Sequence, residues 1–397
     1  MTLIKRNLPI LLILPYFIAV TAMLVLDSGD KKIIPFIILS IMISILLYKK
    51  ELIIKNLQSP FIWLLSIVCA YTIFSYYYHG SSSREMRALL GSTLFLLFFP
   101  YQILTKRAIQ WIVLVGSFTV CINSIYFNLY MGIERGAGYI NPIPYATACA
   151  LISMIAFSLL LNNSPLKEKV IPLIAFSLSL FPIILSETRG IWLAFSITLL
   201  VLIIVKILIS PPSRNQIFVA IITTAILLPI ATQLFKGHVE QRYDKTIYEI
   251  KEITNNNYNT SIGRRIKLWQ LAPKIFKDKP LLGHGHESQS ILKEKLKNKE
   301  ISQTIFNLAS THYHNQFLDR MVRYGIFGLV LLLGIIIYPL TKLKNLDEHE
   351  KYIAISSVSL FFIASLTDVP FNHPQPLILY LLFLVPICSR CKRVTND

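Results

Sequence analysis

Along the chain, apolar runs long enough to cross a bilayer alternate with short polar punctuation. A crossing takes about 20 helical residues, because every backbone N–H and C=O in hydrocarbon must be paired within its own segment. By that length the pattern predicts about twelve spans. They run roughly over 8–26, 33–48, 60–78, 86–104, 108–131, 142–161, 170–185, 190–209, 216–235, 324–340, 352–367 and 377–388. One stretch breaks the rhythm: 236–323 is polar, with sixteen basic residues against nine acidic ones. Three segments, 1–235, 236–323 and 324–397, follow as a bundle, a large loop with the room for chemistry, and a closing set of spans with a short tail.

Inside the loop the spacing predicts helices. QRYDKTIYEIKEI (241–253) repeats apolar positions at helical intervals, and NNNYNTS breaks it. GRRIKLWQLAPKIFKDKP (263–280) sets Ile266, Trp269, Ile275 and Phe276 among basic residues, the pattern of a helix lying on a membrane surface. After the glycine turn LLGHGH, SQSILKEKLKNKEISQ (288–303) reads as a third, lysine-rich helix.

Composition agrees with the pattern. The 397 residues are 54% hydrophobic and 15% charged, with a mean hydropathy of +0.57, too apolar for a soluble domain of this size. The chain is therefore expected to be an all-α polytopic membrane protein. Its formal charge of +18 is spread along the sequence rather than gathered in a basic arm, so nucleic acid is not an expected partner. Lys and Arg in short loops favour the cytoplasm. Lys49, Lys50, Lys106, Arg107, Lys342, Lys344 and Arg390 then lie inside with both termini, and the 236–323 loop lies outside. Lys5 and Arg6 precede a first apolar run that no small-residue cleavage site follows, which reads as a retained anchor.

None of the five cysteines (Cys69, Cys121, Cys149, Cys388, Cys391) falls in the loop, which excludes a disulfide framework there. Cys388 and Cys391 form a lone C-x-x-C. G-x-S-x-G, D-x-D, P-loop and dinucleotide-binding signatures are absent. His284, His286, His312 and His314 could supply a zinc cluster, but neither HGH nor HYH has helical H-x-x-x-H spacing or an acidic residue to complete a known pattern. No metal and no cofactor are expected.

On the outside face of this topology stand Arg84, Arg87, Arg135, Arg189, Arg264, Arg265, His312, His314, Asp368 and His373. Arg189, in SETRGIWLAF, is held in a minimal turn between apolar runs, where a guanidinium suits bidentate phosphate binding; a snorkelling anchor is the alternative. A helix starting near Thr311 would set His314, Phe317, Leu318 and Met321 on one face and Asn315 and Asp319 on another. His314 would then stand at the mouth of the bundle.

Three stretches carry a family resemblance. His314, Asn315, Gly325 and Gly328 in HNQFLDRMVRYGIFG match H-[N/S/Q]-x9-G-x2-[G/T/Y] of the O-antigen ligase (WaaL) family, within the larger ligase and polymerase group with a Wzy-like C-terminal region. LSETRGIWLAF is similar to that group's SRGAWLA segment, and TSIGRRIKLWQLAPKIFKDKPLLGHG to its S-x-x-x-R-x-x-x-W region ending in P-x-x-G-x-G. The resemblance implies a GT-C-type architecture and metal-independent, inverting glycosyl transfer. A polyisoprenyl (undecaprenyl) diphosphate-linked glycan would be the donor and the lipid A-core sugar the acceptor, at the periplasmic face of a bacterial inner membrane. It makes His314 the general base and Arg189 and Arg265, with Arg264, the diphosphate binders; Asn315, His312 and Asp368 become supporting residues. The chemistry fits, since fixed guanidinium groups stabilise the charge growing on a diphosphate leaving group without a metal. An O-antigen polymerase shares this architecture and donor. A transporter would need charges in mid-span or paired broken helices, and the spans are almost free of charge.

Overall fold

A computed structural model describes residues 11–209, 211 and 236–390. All regular structure among them is helical. Helix α1 covers Leu14–Val25, α2 Ile34–Leu57, α3 Pro60–His79, α4 Ser83–Phe98, α5 Lys106–Ser124, α6 Pro142–Leu161, α7 Leu166–Leu185 and α8 Arg189–Ile209. Helix α9 covers 236–254, α10 Ser261–Phe276, α11 Ser288–Lys297, α12 Gln303–Thr311, α13 Gln316–Thr341, α14 Glu348–Ser365 and α15 Pro374–Ser389.

Seven of the described helices are long and apolar enough to cross a membrane, and Leu14–Val25 and Pro374–Ser389 are shorter apolar helices. Helices α4 and α14 coincide with two more expected spans but carry buried polar positions, among them Glu85 and Ser92 on α4 and Glu350, Ser356 and Ser357 on α14, which lower their hydropathy. The expected 216–235 span and Cys391 lie outside the described residues.

Helices α6 and α15 form the centre. In α6 the small residues Ala146, Ala150, Ser153 and Ala156 let neighbours approach closely, and all are fully buried. Helix α7 packs against α5 and α6, α14 against α6 and α8, and α13 against α3 and α14. Every residue of α15 from Pro374 to Cys388 is buried, so the loop leading into it, which holds Asp368 and His373, is fixed from below by the core.

Helices α10, α11 and α12 build a second, smaller core on the start of α13. Leu268, Leu271, Ala272 and Ile275 of α10 meet Leu292, Ile305, Ala309, Tyr313 and Val322, with Trp269 and Phe276 packed against them. This corrects the expectation for 263–280: the apolar face of that helix is covered by protein rather than laid on lipid. The lysine-rich stretch ends as a helix at Lys297, and a separate helix, α12, begins after the Ser302 cap, whose Oγ accepts from the Ile305 N–H.

Gly325 locks this small core to the bundle. It interrupts α13 at φ +64°, and a Cβ there would sit 2.1 Å from the Leu281 carbonyl oxygen, so only glycine fits. The interruption opens the helix to the PLLGHG turn, where Ile326 N–H donates to the Pro280 carbonyl at 2.9 Å and His284 N–H to that of Val322 at 2.8 Å.

Candidate active site

Segments far apart in sequence meet around a cavity of about 860 Å3. The 186–190 turn, the inner face of α9, the first turns of α10, His314 and the Thr367–Asp368 loop all line it. Gly190 makes the approach possible, since a Cβ there would meet the Thr367 hydroxyl at 2.5 Å.

His314 is not on a helix, contrary to the expectation of a helix from Thr311. Helix α13 starts at Gln316, and Asn315 is its N-cap, its side-chain oxygen accepting from Phe317 and Leu318 N–H at 3.0 and 3.1 Å. The Asn315 amide also donates to the Leu366 carbonyl at 3.1 Å. His314 itself adopts φ +49°, a left-handed conformation that non-glycine residues hold only under constraint from their surroundings. The constraint is visible: Trp269 Nε1 donates to the His314 carbonyl at 3.3 Å, and the His314 N–H donates to His312 Nδ1 at 3.3 Å. Trp269 thus helps to hold the His314 backbone in this conformation.

Asp368 supplies what the sequence left open. Its Oδ2 lies 3.2 Å from His314 Nδ1 and 3.6 Å from an Arg265 Nη, and its Oδ1 accepts from the Val369 N–H at 2.8 Å. Burial would raise its pKa, but the His314 hydrogen bond and the basic side chains around it, Arg265 among them, outweigh it and hold the carboxyl well below the usual carboxylate range. An ionised Asp368 can only accept in this contact, so Nδ1–H of His314 donates to it and Nε2 faces away from the carboxylate. Beside it, burial, aided by His314, lowers the pKa of His312 to about 4, so that ring is neutral.

The arginines differ in state. Arg189 donates to Thr246 Oγ1 at 2.9 Å and pairs with Glu249 at 2.8 Å. Arg242 and His238 share Glu187, at 2.6 Å each, and Arg135 donates to the Ser186 carbonyl at 3.0 Å. The Arg264 guanidinium has no hydrogen bond or ion pair among the described residues, and its Nε is buried without a partner. Arg265 is held by Asp368. Six cationic side chains (Arg135, Arg189, Arg242, Lys245, Arg264, Arg265) line the cavity against three carboxylates (Glu187, Glu249, Asp368). Arg264 and Arg265 stand near the start of α10, whose own first turn carries no acidic residue and whose Ile262 N–H donates to the Glu249 carboxylate at 2.9 Å. Such a concentration of positive charge in a recess attracts a multiply charged anion.

The two H-x-H pairs do not form one cluster. His284 is buried and hydrogen-bonded through Nε2 to the Ile275 carbonyl at 2.9 Å, and the His286 N–H donates to the Gly80 carbonyl at 3.0 Å. His312, His314 and Asp368 do bring ligating atoms within 4.8 Å of one another. Asp368 Oδ2 already lies against both His314 Nδ1 and an Arg265 Nη.

Residues 174–333, which include the 186–190 turn, α9, α10 and His314, match the family model described as O-Antigen ligase (Wzy_C). The match covers this segment and not the rest of the chain. Over 135 residues the chain is 33% identical to a Haemophilus influenzae protein named only "Uncharacterized protein", covering 33% of each chain. Over 154 residues it is 26% identical to a Rickettsia felis protein named "Putative polysaccharide ligase", covering 38% of this chain and 34% of that one. The alignments thus span about a third of these relatives. Asp368, which the sequence offered as a supporting residue, lies beyond the matched segment.

Proposed function

We propose that the protein is an O-antigen ligase that moves a glycan from a polyisoprenyl (undecaprenyl) diphosphate to a sugar of the lipid A core, at the periplasmic face of the inner membrane. The large loop, 236–323, supplies the donor cavity, and the membrane helices hold the polyprenyl tail beside it. The acceptor hydroxyl attacks the anomeric carbon as the bond to the diphosphate oxygen breaks. The bonding pair leaves with the diphosphate, the hydroxyl proton passes to Nε2 of His314, and the configuration at the sugar carbon inverts.

The observation that carries this reading is the pairing, across one cavity, of a histidine whose Nδ1 is tied to a buried carboxylate with the unpartnered guanidinium of Arg264. The first is an arrangement for a general base, which contributes about 10²- to 10⁴-fold. The second is a donor set awaiting an anion. Arg264 takes the diphosphate first, with Arg189 and Arg265 completing the clamp. The diphosphate charge is met by guanidinium groups and Arg265 occupies the Asp368 oxygen, so transfer needs no metal and proceeds unchanged in a chelator.

A strain lacking the gene, blotted for lipopolysaccharide, tests this. Loss of long glycan on lipid A core, with full-length lipid-linked polymer accumulating, is the expected result. Single glycan units still attached to the core, with polymer length lost, would replace ligase by polymerase.

A further inference from the structure

The 311–314 segment runs between two cavities. His314 lines the arginine-rich one, whereas Thr311 and His312 line a chamber of about 190 Å3 on the other side, together with Arg323 and His373. The same alternation recurs in the neighbouring loop: Asp368 lines the first cavity and Val369 the second. The smaller chamber continues into a recess of about 690 Å3 with which it shares Ser81, Ser82, Arg84, His286, Thr311 and Arg323, and which Tyr76 and Tyr77 flank. The His312 and His314 rings, 4.1 Å apart between centroids, form the partition.

We propose that this second chamber binds the acceptor saccharide, its reactive hydroxyl at the His312–His314 partition and the preceding sugars reaching back to Tyr76 and Tyr77. The inference rests on the glycosyl-transfer reading above. An inverting displacement requires nucleophile and leaving group on opposite sides of the anomeric carbon, and the two cavities lie on opposite sides of the segment that bears the base. The linings differ in the sense this demands. The first cavity concentrates guanidinium groups for a diphosphate. The second mixes serine and threonine hydroxyls, histidines and two arginines with tyrosine rings, a lining that offers hydrogen bonds to sugar hydroxyls and apolar faces to sugar C–H groups. Its only carboxylate among the lining residues, Glu85, is already engaged by Arg320 and by Tyr324, whose hydroxyl donates at 3.0 Å. Tyr77 is 80% exposed, and among the described residues the Arg84 guanidinium is held only by Asp30, at 3.6 Å. Both are open to a ligand.

The test uses the purified full chain, with separate titrations of donor and acceptor. Tyr77→Ala and Arg84→Gln are expected to raise the KM for acceptor about tenfold and leave the KM for donor within about twofold; Arg264→Gln is expected to do the reverse. Asp30→Asn, which removes the partner of Arg84 outside the chamber, controls for local disruption. An acceptor KM unchanged in both chamber variants overturns the proposal, as does a rise confined to the donor KM. A second measurement is independent of turnover. Ser83, in the recess, is replaced by cysteine on a Cys391→Ser background, the other cysteines being buried. Delipidated core oligosaccharide is expected to slow thiol labelling of this variant, and polyprenyl diphosphate to leave it unchanged. Labelling slowed only by the diphosphate overturns the proposal. Absence of transfer by the unaltered protein would sink the ligase reading, while labelling would still decide whether the chamber takes a saccharide.

Discussion

Replacing Asp368 by Asn removes one charge and almost no volume, and it should separate catalysis from donor binding. The carboxylate has two partners, His314 Nδ1 at 3.2 Å and Arg265 at 3.6 Å. At an effective dielectric of about 20, unit charges at the second distance attract by roughly 5 kcal/mol before desolvation is counted. A hydrogen bond to a charged group is worth about 1.5–3 kcal/mol net. If Asp368 fixes the tautomer of His314 and stabilises the imidazolium formed as the acceptor proton arrives, loss of that charge lowers kcat by about 10- to 100-fold. Arg265, released from its carboxylate, is freer to meet the diphosphate, so the KM for donor should hold or fall. The assay follows transfer of labelled glycan from a polyprenyl diphosphate donor to core acceptor by gel shift, with purified protein in detergent. Size exclusion and a thermal melt verify folding. A folded variant with kcat within about threefold of the unaltered protein would refute the reasoning, and a raised donor KM with unchanged kcat would reassign Asp368 to donor binding.

Arg264→Ala should raise the donor KM by about tenfold or more, the scale of a lost charge-assisted contact, and weaken inhibition by inorganic pyrophosphate; unchanged inhibition would remove Arg264 from the clamp. His312 has a folded pKa of about 4 against an ordinary 6.5, lowered by burial. The unfolded chain therefore binds the extra proton first, and stability falls as pH drops from about 6.5 towards 4, by at most about 1.4 kcal/mol per pH unit. His312→Gln should flatten that part of the thermal-melt profile, and a slope identical in the variant would contradict the assignment. Gly325→Ala adds a Cβ 2.1 Å from the Leu281 carbonyl at a positive φ, so the small core should detach from α13, with protease cleavage appearing within 236–323. An uncleaved, fully active variant would show that the kink is not needed.

How much of this could be read in the sequence depended on the distance over which each feature acts. Spans are local: an apolar run such as 142–161 states its own length and limits, and α6 occupies those residues. Arg189 stood out because a charge in a minimal turn between apolar runs is costly wherever the chain goes. The state of the arginines was not legible. Glu249, which neutralises Arg189, sits 60 residues away on a helix whose pattern showed only amphipathicity. Arg242 and Glu187 are hidden in the same way. Asp368 meets His314 across 54 residues, and nothing local distinguishes it from a loop-capping aspartate. His314 was misassigned to a helix because its periodicity with Phe317 and Leu318 is helical; the Asn315 cap instead starts the helix at Gln316, and the Trp269 indole holds the histidine backbone outside it.

The general-base role rests on one side chain, and its most direct test is transfer by purified His314→Ala beside the unaltered protein at saturating donor and acceptor. The unaltered protein should transfer the glycan. The variant should fall by about 10²-fold or more while still binding polyprenyl diphosphate through the arginines. Full activity in the variant, or no transfer by the unaltered protein under conditions where both substrates bind, would contradict it.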